Sequence, residues 1–550
     1  MDNYEKVTIK DKLMLKVMLF FCVLTMAGCT VGPDYHPQEA NVPLVWTGTT
    51  TIKATSAYAD LINWWTGFND PNLTSLVERA INTNLDLLQA EARIRQARAT
   101  RDISAGGLWP MADATGSYTR GRIPILGNPD APTRNLFQTG LDAAWELDVF
   151  GGVRRRVEAA GADVQFAVED HRDVLVTLVS EVALNYIELR GFQQEIVIAR
   201  NNLEAQQKTA ELTHKKFQGG LVGTLDVANA DAQVSTTASQ IPQLEAAAQQ
   251  GIYNLSVLLG LEPVALLNEL SPTNSIPLAP PQVPVGIPSQ LLRRRPDIRR
   301  AEAAIHGATA RIGVATADLY PKFNLTGSIN FQNDQLHELI NWKDRFWTVG
   351  PAVDWQIFSA GRVRSNIELQ KALQQETMLA YQKTVITALA DVENALVAYA
   401  KEYERHKTLT DAVAHNRKAV DSATQLYERG LTDFLNVLVA QRSLFASEDA
   451  LVQSTRNLSA DLVTLYKALG GGWDSGVGLD RDIRQSAPND FETTTGEELF
   501  DHNFCEVVGL VGENGQRQAA FCQLGQHAFY MVRITPNLKV LFLQRRLWPA

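Results

Sequence analysis

Cysteine is scarce. Four stand in 550 residues, with no pair at the Cys-x-x-Cys spacing of zinc or thiol redox sites, which excludes a disulfide scaffold. No apolar run reaches about 18 residues, so no single helix crosses a membrane. No long Lys/Arg run appears either. With 51 basic and 61 acidic residues the net charge is −10, and nucleic acid is excluded as the main partner because phosphates need a clustered basic footprint. The nine histidines form no His-x-x-x-His pair, and no nucleophile elbow or phosphate loop stands out. The expectation is therefore no enzyme, no metal site and no cofactor. Proline is absent between Pro132 and Pro242 and again between Pro351 and Pro488. What is present is 45% hydrophobic and 20% charged, enough to bury a large core.

The body of the chain is one unit written twice. Ala90-Glu91 and Ile94 return as Ala301-Glu302 and Ile305, and Thr115-Gly116-Ser117 as Thr326-Gly327-Ser328, at an offset of 211. Further on the offset is 210: Trp145 with Trp355, Gly151 with Gly361, Gly220-Leu221 with Gly430-Leu431. Eight prolines from Pro263 to Pro296 form an extended spacer between the copies.

The proline-free stretches permit very long helices, because an interior proline costs about 3 kcal/mol. Leu175, Val182, Leu189, Ile196 and Leu203 repeat every seven residues, and Val385, Val392, Tyr399 and Val413 do so in the second copy, interrupted by His406. This predicts a helix over about 154–218, roughly 100 Å long at 1.5 Å per residue. A globular core has no room for it. A second helix follows Gly223 and Leu431, so each copy makes an antiparallel coiled-coil hairpin. His171 and His406 fall on the long helices as surface or seam residues.

Before each long helix lies a different pattern. Residues 111–120 and 136–148, then 323–332 and 346–358, read as two β-hairpins of strand length about ten, which crosses a bilayer when tilted. Tyr118, Phe137, Trp342 and Trp347 fit the membrane interfaces. A soluble hairpin is the alternative reading. In a bilayer, four strands leave open edges that hydrocarbon does not tolerate, and four are too few to close a barrel. Several chains must then share one barrel; three would supply twelve strands.

The first thirty residues are an address. Lys6, Lys10, Lys12 and Lys16 precede an apolar run, Val17 to Ala27, that ends in Leu24-Thr25-Met26-Ala27-Gly28-Cys29. This resembles a bacterial lipobox in which Cys29 is lipidated. An ordinary signal peptide with an incidental cysteine is the alternative, and Met14 is an alternative start. Thr30 follows, in place of the Asp that retains such lipoproteins in the inner membrane.

Cys29-Thr30-Val31-Gly32-Pro33-Asp34-Tyr35, Trp64-Trp65, and Asp70-Pro71-Asn72-Leu73 resemble the N-terminus of NodT-type outer-membrane efflux lipoproteins. Arg294-Arg295-Pro296-Asp297-Ile298-Arg299-Arg300-Ala301-Glu302 resembles that family's most specific internal motif, Tyr427 to Arg442 its periplasmic tip, and Leu465 to Trp473 its usual ending. The resemblance covers about residues 20 to 473. It implies a mainly α fold with a β part: a TolC-like homotrimer whose shared 12-stranded β-barrel in the outer membrane continues into a long periplasmic α-helical barrel. It further implies an exit duct for small molecules in a tripartite pump, served by a periplasmic adaptor and an inner-membrane RND-type transporter. A type I protein-secretion channel and a periplasmic coiled-coil adaptor are the alternatives.

By the same resemblance the gate lies at the tip near Leu435 to Val439, with a first-repeat counterpart near Leu225 to Asn229. Relatives commonly carry Asp where this chain has Asn436 or Val439. Leu435 and Leu225 would make an apolar constriction, and Asp226 and Asp433 an acidic one; both acids also suit a first helical turn. The expected organisation is a signal peptide (1–28), a lipidated segment (29–75), repeats over 76–262 and 297–473 joined by the linker 263–296, and a tail (474–550) of unknown role. The tail, with Cys505 and Cys522, carries no heptad or motif and reads as an appended segment or a periplasmic cap.

Overall fold

The computed structural model describes residues 30–38, 42–43, 45–47, 61–122, 133–278 and 288–474, and two strands within 519–532. The chain separates into two units, Met1–Trp473 and Asp474–Ala550. In the first, α1 (Pro71–Thr83) and α2 (Leu85–Gly106) lead into β1 (Met111–Gly121) and β2 (Arg134–Leu147), then α3 (Gly152–Gln218) and α4 (Thr224–Leu258). Two short helices, α5 (Leu267–Leu270) and α6 (Pro288–Arg294), fall in the linker region. The pattern then recurs as α7 (Pro296–Ala317), β3 (Lys322–Asn333), β4 (Arg345–Asp354), α8 (Arg362–Glu428) and α9 (Phe434–Ala468). Corresponding helices have equal lengths: 22 residues for α2 and α7, 67 for α3 and α8, 35 for α4 and α9. At 1.5 Å per residue α3 and α8 are each about 100 Å long. Among the described residues no helix is long and apolar enough to cross a membrane. In the second unit β5 (Ala519–Leu524) pairs antiparallel with β6 (His527–Val532), a hairpin the sequence pattern did not signal.

Each long helix starts from a glycine in the left-handed region, Gly151 (φ 78) and Gly361 (φ 85), which lets the chain leave a strand and enter a helix without a Cβ clash. The heptad seam is interior: Val182, Leu189, Val385 and Val392 are buried, as are Tyr399 and Val413. Halfway along the helices this seam widens into the main core. There Trp64, Leu73 and Leu76 pack with Val179 and Tyr186 of α3, Leu255 of α4, Leu396 of α8 and Leu462 of α9. Trp64 stacks on Tyr466 at 5.1 Å, and the Gly472 N–H donates to the Leu61 carbonyl at 2.9 Å, so the two ends of the repeat unit meet here.

Two further positions on these helices stand out. Pro242 lies inside α4 without ending it, at an exposed position where water can satisfy the carbonyl that a proline leaves without a donor. His171 is interior, 6% exposed, and burial lowers its pKa.

Glu195 on α3 is 6% exposed, 3.6 Å from Arg456 of α9. Burial raises its pKa to about 7 from 4.5, against the pull of Arg456. The folded state therefore holds this proton more tightly than the unfolded chain does. Its contribution is fully present below about pH 4.5 and is lost as pH rises through 7, a swing on the order of 3 kcal/mol. Glu195→Gln should flatten the stability profile between pH 5 and 8 and raise the melting temperature at pH 8. An unchanged profile would assign the pH dependence elsewhere.

Candidate functional site

The four strands form one antiparallel sheet in the order β1-β2-β3-β4. Its register sorts the side chains by chemistry. The pairs Tyr118↔Phe137, Leu141↔Ile329, Trp145↔Leu325 and Ile329↔Trp347 lie on one face, together with Val349 and Val353. The pairs Asp113↔Asp142, Gln138↔Gln332, Asp142↔Ser328 and Ser328↔Thr348 lie on the other. Hydrogen bonds confirm the polar face: Thr115 donates to Asp142 at 3.2 Å, and the Ser328 and Thr348 hydroxyls are 2.9 Å apart. On the apolar face Leu141, Trp347, Val349 and Val353 are 57–67% exposed. A soluble hairpin buries such a face. A barrel wall turns it to lipid and the polar face to an aqueous lumen.

Aromatic rings mark both rims. Tyr118 stacks on Phe137 at 4.7 Å at the end carrying the hairpin loops, near Trp347 and Trp342. At the helix end Phe150 stacks on Tyr320 at 4.5 Å. Trp145 donates its indole N–H to the Leu108 carbonyl at 2.9 Å, and its repeat counterpart Trp355 does the same to Leu319 at 3.1 Å. Eight residues separate Trp145 from Phe137, about 26 Å of strand, or about 20 Å of height at a barrel tilt of about 40°, which covers most of an apolar band about 25 Å tall.

At the opposite end of the helices lies a small separate core: Ala210, Ala230, Tyr427, Phe434, Val437 and Leu438. It joins the two hairpins. Tyr427 lies 3.1 Å from the Thr213 hydroxyl, and Lys216 sits 4.0 Å over the Tyr427 ring and donates to the Tyr427 carbonyl. Gln441 donates to Thr209 at 3.0 Å, and Arg442 to Gln233 at 2.7 Å. Every one of these bonds links the first repeat to the second. Gly220 (φ 73) and Gly430 (φ 72) make the left-handed turns at the two tips, whereas Gly223 has ordinary extended backbone.

The gate candidates occupy this tip. Leu225 and Leu435 are the second residues of α4 and α9, at equivalent repeat positions, and are 71% and 60% exposed. The Asp226 carboxylate accepts the Gly223 N–H at 3.3 Å, a helix-capping contact. Asp433 is the residue before α9 and makes no side-chain cap. Asn436 donates to the Thr432 hydroxyl at 2.7 Å. Cys29 lies outside the described residues.

The arginine-rich motif turns out to be a brace. Arg294 donates to the Gly470 carbonyl at 3.3 Å. Arg295 binds Asp297 at 2.7 Å and Asp391 at 3.1 Å. Arg299 and Arg172 both reach Glu169 at 2.7 Å, and both guanidinium groups lie over the Trp473 ring. Arg300 bridges Asp170 and Asp173 at 2.7 and 2.9 Å. The motif thus ties α7 to α3, to α8 and to the Gly470–Trp473 ending.

Residues 76–261 and 287–471 match the family described as outer membrane efflux protein. The chain belongs to that family. Nodulation protein T of Rhizobium leguminosarum bv. trifolii is 31% identical over 456 residues, 82% of this chain and 97% of its own length. The toluene efflux pump outer membrane protein TtgF of Pseudomonas putida is 31% identical over 468 residues, 82% of this chain and 96% of TtgF. Among solved structures, the outer-membrane channel OprN superposes with a TM-score of 0.76 at 36% identity, over 81% of this chain and 100% of OprN. The fold is thus that of the TolC-like channels, and the protein is an outer-membrane efflux channel.

Sequence reasoning placed the channel's tip but missed what holds it. Tyr427, Gln441 and Arg442 stood inside the tip segment recognised by resemblance, and their partners Thr213, Thr209 and Gln233 lie more than 200 residues away. No local pattern announces Thr209 or Thr213.

Proposed function

We propose that this channel is a homotrimer, anchored by a lipid on Cys29, that serves as the exit duct of a tripartite pump together with a periplasmic adaptor and an inner-membrane RND-type transporter. Small molecules are its cargo. The carrying observation is the wall: an amphipathic four-stranded sheet, with β1 and β4 as unpaired edges among the described residues, continuous with helices about 100 Å long. Free edges in lipid demand closure by further copies. The anchor fits the same geometry. Val31 donates to the Phe150 carbonyl at 3.1 Å, and Arg155 reaches the Val31 carbonyl at 3.2 Å and Asp34 at 2.6 Å. Thr30 packs against Gly151, where a Cβ would come within 2.9 Å of the Thr30 backbone. These contacts hold the residue after Cys29 at the foot of the sheet, which supports an anchor on the membrane side of the proposed barrel. Heat-stable trimers in outer-membrane fractions, and greater retention of small toxic compounds in cells lacking the chain, are the expected results. A soluble periplasmic monomer would overturn the proposal.

In this reading the tip closes through apolar side chains, since Leu225 and Leu435 project from equivalent positions and threefold symmetry makes rings of them. Leu225→Ala combined with Leu435→Ala should raise the resting conductance in planar bilayers several-fold. Asp226→Asn should leave it unchanged, because that carboxylate is occupied by a helix cap. A leak from Asp226→Asn with none from the leucine pair would make the gate acidic.

A further inference from the structure

The loop between β3 and β4 belongs to neither the wall nor the tip. It holds two single-turn 3-10 helices, Leu336–Glu338 and Trp342–Asp344, and leaves Leu336, Ile340 and Trp342 64%, 79% and 64% exposed. Three large apolar side chains displayed together in a short loop mark a contact surface.

The contacts of the loop give the direction in which it lies. Ile329 pairs with Leu141 and Asn333 with Phe137, and Phe331 stands between them, so Phe331 and Asn333 share the apolar face of the sheet. The Trp342 ring lies against Phe331, with centroids 6.5 Å apart, and the Asn333 amide donates to the Asp344 carboxylate at 2.8 Å. Both contacts draw the second half of the loop over the lipid-facing side. The apolar band of the wall thus continues through Phe331 into Trp342.

Two cations flank that ring. Arg345 opens β4 on the same face, paired with Phe331. Its guanidinium lies 4.3 Å over the Trp342 ring and donates to the Trp342 carbonyl. Lys343 is exposed beside it. Among the described residues neither cation is paired with a carboxylate. Of the acids in the loop, Asp344 accepts from Asn333, Glu338 faces His337 at 3.8 Å, and Asp334 stands at the β3 end. An aromatic ring at the rim of an apolar wall, between an ammonium and a guanidinium fork that no carboxylate occupies, is chemistry for a lipid with an anionic headgroup.

We propose that this loop lies outward in the headgroup layer of the outer leaflet, and that Trp342, Lys343 and Arg345 seat the phosphate of a glycolipid there. The leaflet is the outer one because the loop stands at the end of the sheet away from the helices. A phosphorylated glycolipid meets each part of the surface. Its phosphate takes Arg345, whose fork binds two oxygens at once, and Lys343; its apolar portion covers Trp342, Ile340 and Leu336. Held this way, the loop stays clear of the mouth and leaves the exit of the duct open. The inference goes beyond the duct reading and needs only the outer-membrane barrel, not the cargo or the pump partners.

The test uses the full-length channel, extracted from outer membranes and freed of lipid in detergent. It is titrated with bisphosphorylated lipid A, with lipid A stripped of its phosphates, and with phosphatidylglycerol. The bisphosphorylated lipid should bind about tenfold tighter than the other two, the worth of one charge-assisted hydrogen bond. Lys343→Gln with Arg345→Gln should abolish that preference. Equal affinities in the unmodified channel, or a preference that survives in the double variant, would overturn the headgroup assignment. Depth is read separately with an environment-sensitive label on Ile340→Cys, a position exposed enough to tolerate it, with the unmodified protein as the background from the native cysteines. In vesicles, a nitroxide at headgroup level should quench the label. Quenching by dissolved iodide alone would place the loop over the mouth, and quenching by neither would place it against a second copy; both overturn the proposal. Recovery of each variant in outer-membrane fractions is scored first, which separates a failure of the site from a failure of the barrel.

Discussion

Leu141→Arg is expected to empty the outer membrane of assembled channel, while Ser328→Arg, across the sheet from Asp142 on the opposite face, leaves assembly intact. Leu141 lies at the middle of β2, on the apolar face, and is 57% exposed. An arginine at the bilayer midplane costs about 2–4 kcal/mol per chain, and in a trimer the cost is incurred three times. That rivals the whole stability of a typical domain. Ser328 faces the lumen side, where water and Asp142 receive a cation without penalty. The readout is the amount of heat-stable oligomer in outer-membrane fractions. Equal losses from both variants would mean that the register does not sort the sheet into a lipid face and a water face.

Glu169→Ala should be the most damaging single change in the helical body. Glu169 is 1% exposed and holds Arg172 and Arg299 at 2.7 Å each. Burial raises its pKa even so, with both arginines pulling the other way. Removing the carboxylate leaves the buried Arg172 guanidinium beside the half-buried Arg299 with no carboxylate between them, at a cost of about 3 kcal/mol. Replacing an arginine partner as well, as in Glu169→Ala with Arg299→Met, should recover much of the loss, because the stranded charge is the larger part of it. The exposed pair Arg200–Glu245, 2.6 Å apart but 62% and 48% exposed, provides the contrast: Glu245→Ala should cost about 1 kcal/mol or less. Thermal unfolding of the purified channel checks all three. Equal effects from Glu169→Ala and Glu245→Ala would refute the brace.

The arginine motif shows how far a motif can be read without its surroundings. Six charged residues in nine positions look like a binding surface or a solvated helix start, and resemblance alone marked them as characteristic of a family. Their partners are Glu169, Asp170 and Asp173 on α3, Asp391 on α8 and the Gly470 carbonyl. These lie between 96 and 176 residues away, in both directions along the chain. Buried ion pairs leave no periodic trace, so nothing in the segment itself distinguishes a brace from a site.

Local physics, in contrast, was fully written in the chain. The seven-residue spacing through Val182 and Leu189, the absence of proline from 133 to 241, and the near-constant offset between copies determined two pairs of long helices, because helix period and proline exclusion act over a few residues at a time. Strand length and the glycine at each strand–helix turn were equally local. What only the tertiary structure decided was which partners meet. Pairing β2 with β3 put Leu141 beside Ile329 and Asp142 beside Ser328, turning four ambiguous strands into a two-faced wall. Packing the second helical hairpin on the first brought Tyr427, Gln441 and Arg442 to Thr213, Thr209 and Gln233 at the tip. Such contacts are set by the register between distant segments, and a one-residue shift in strand register would exchange the two faces entirely.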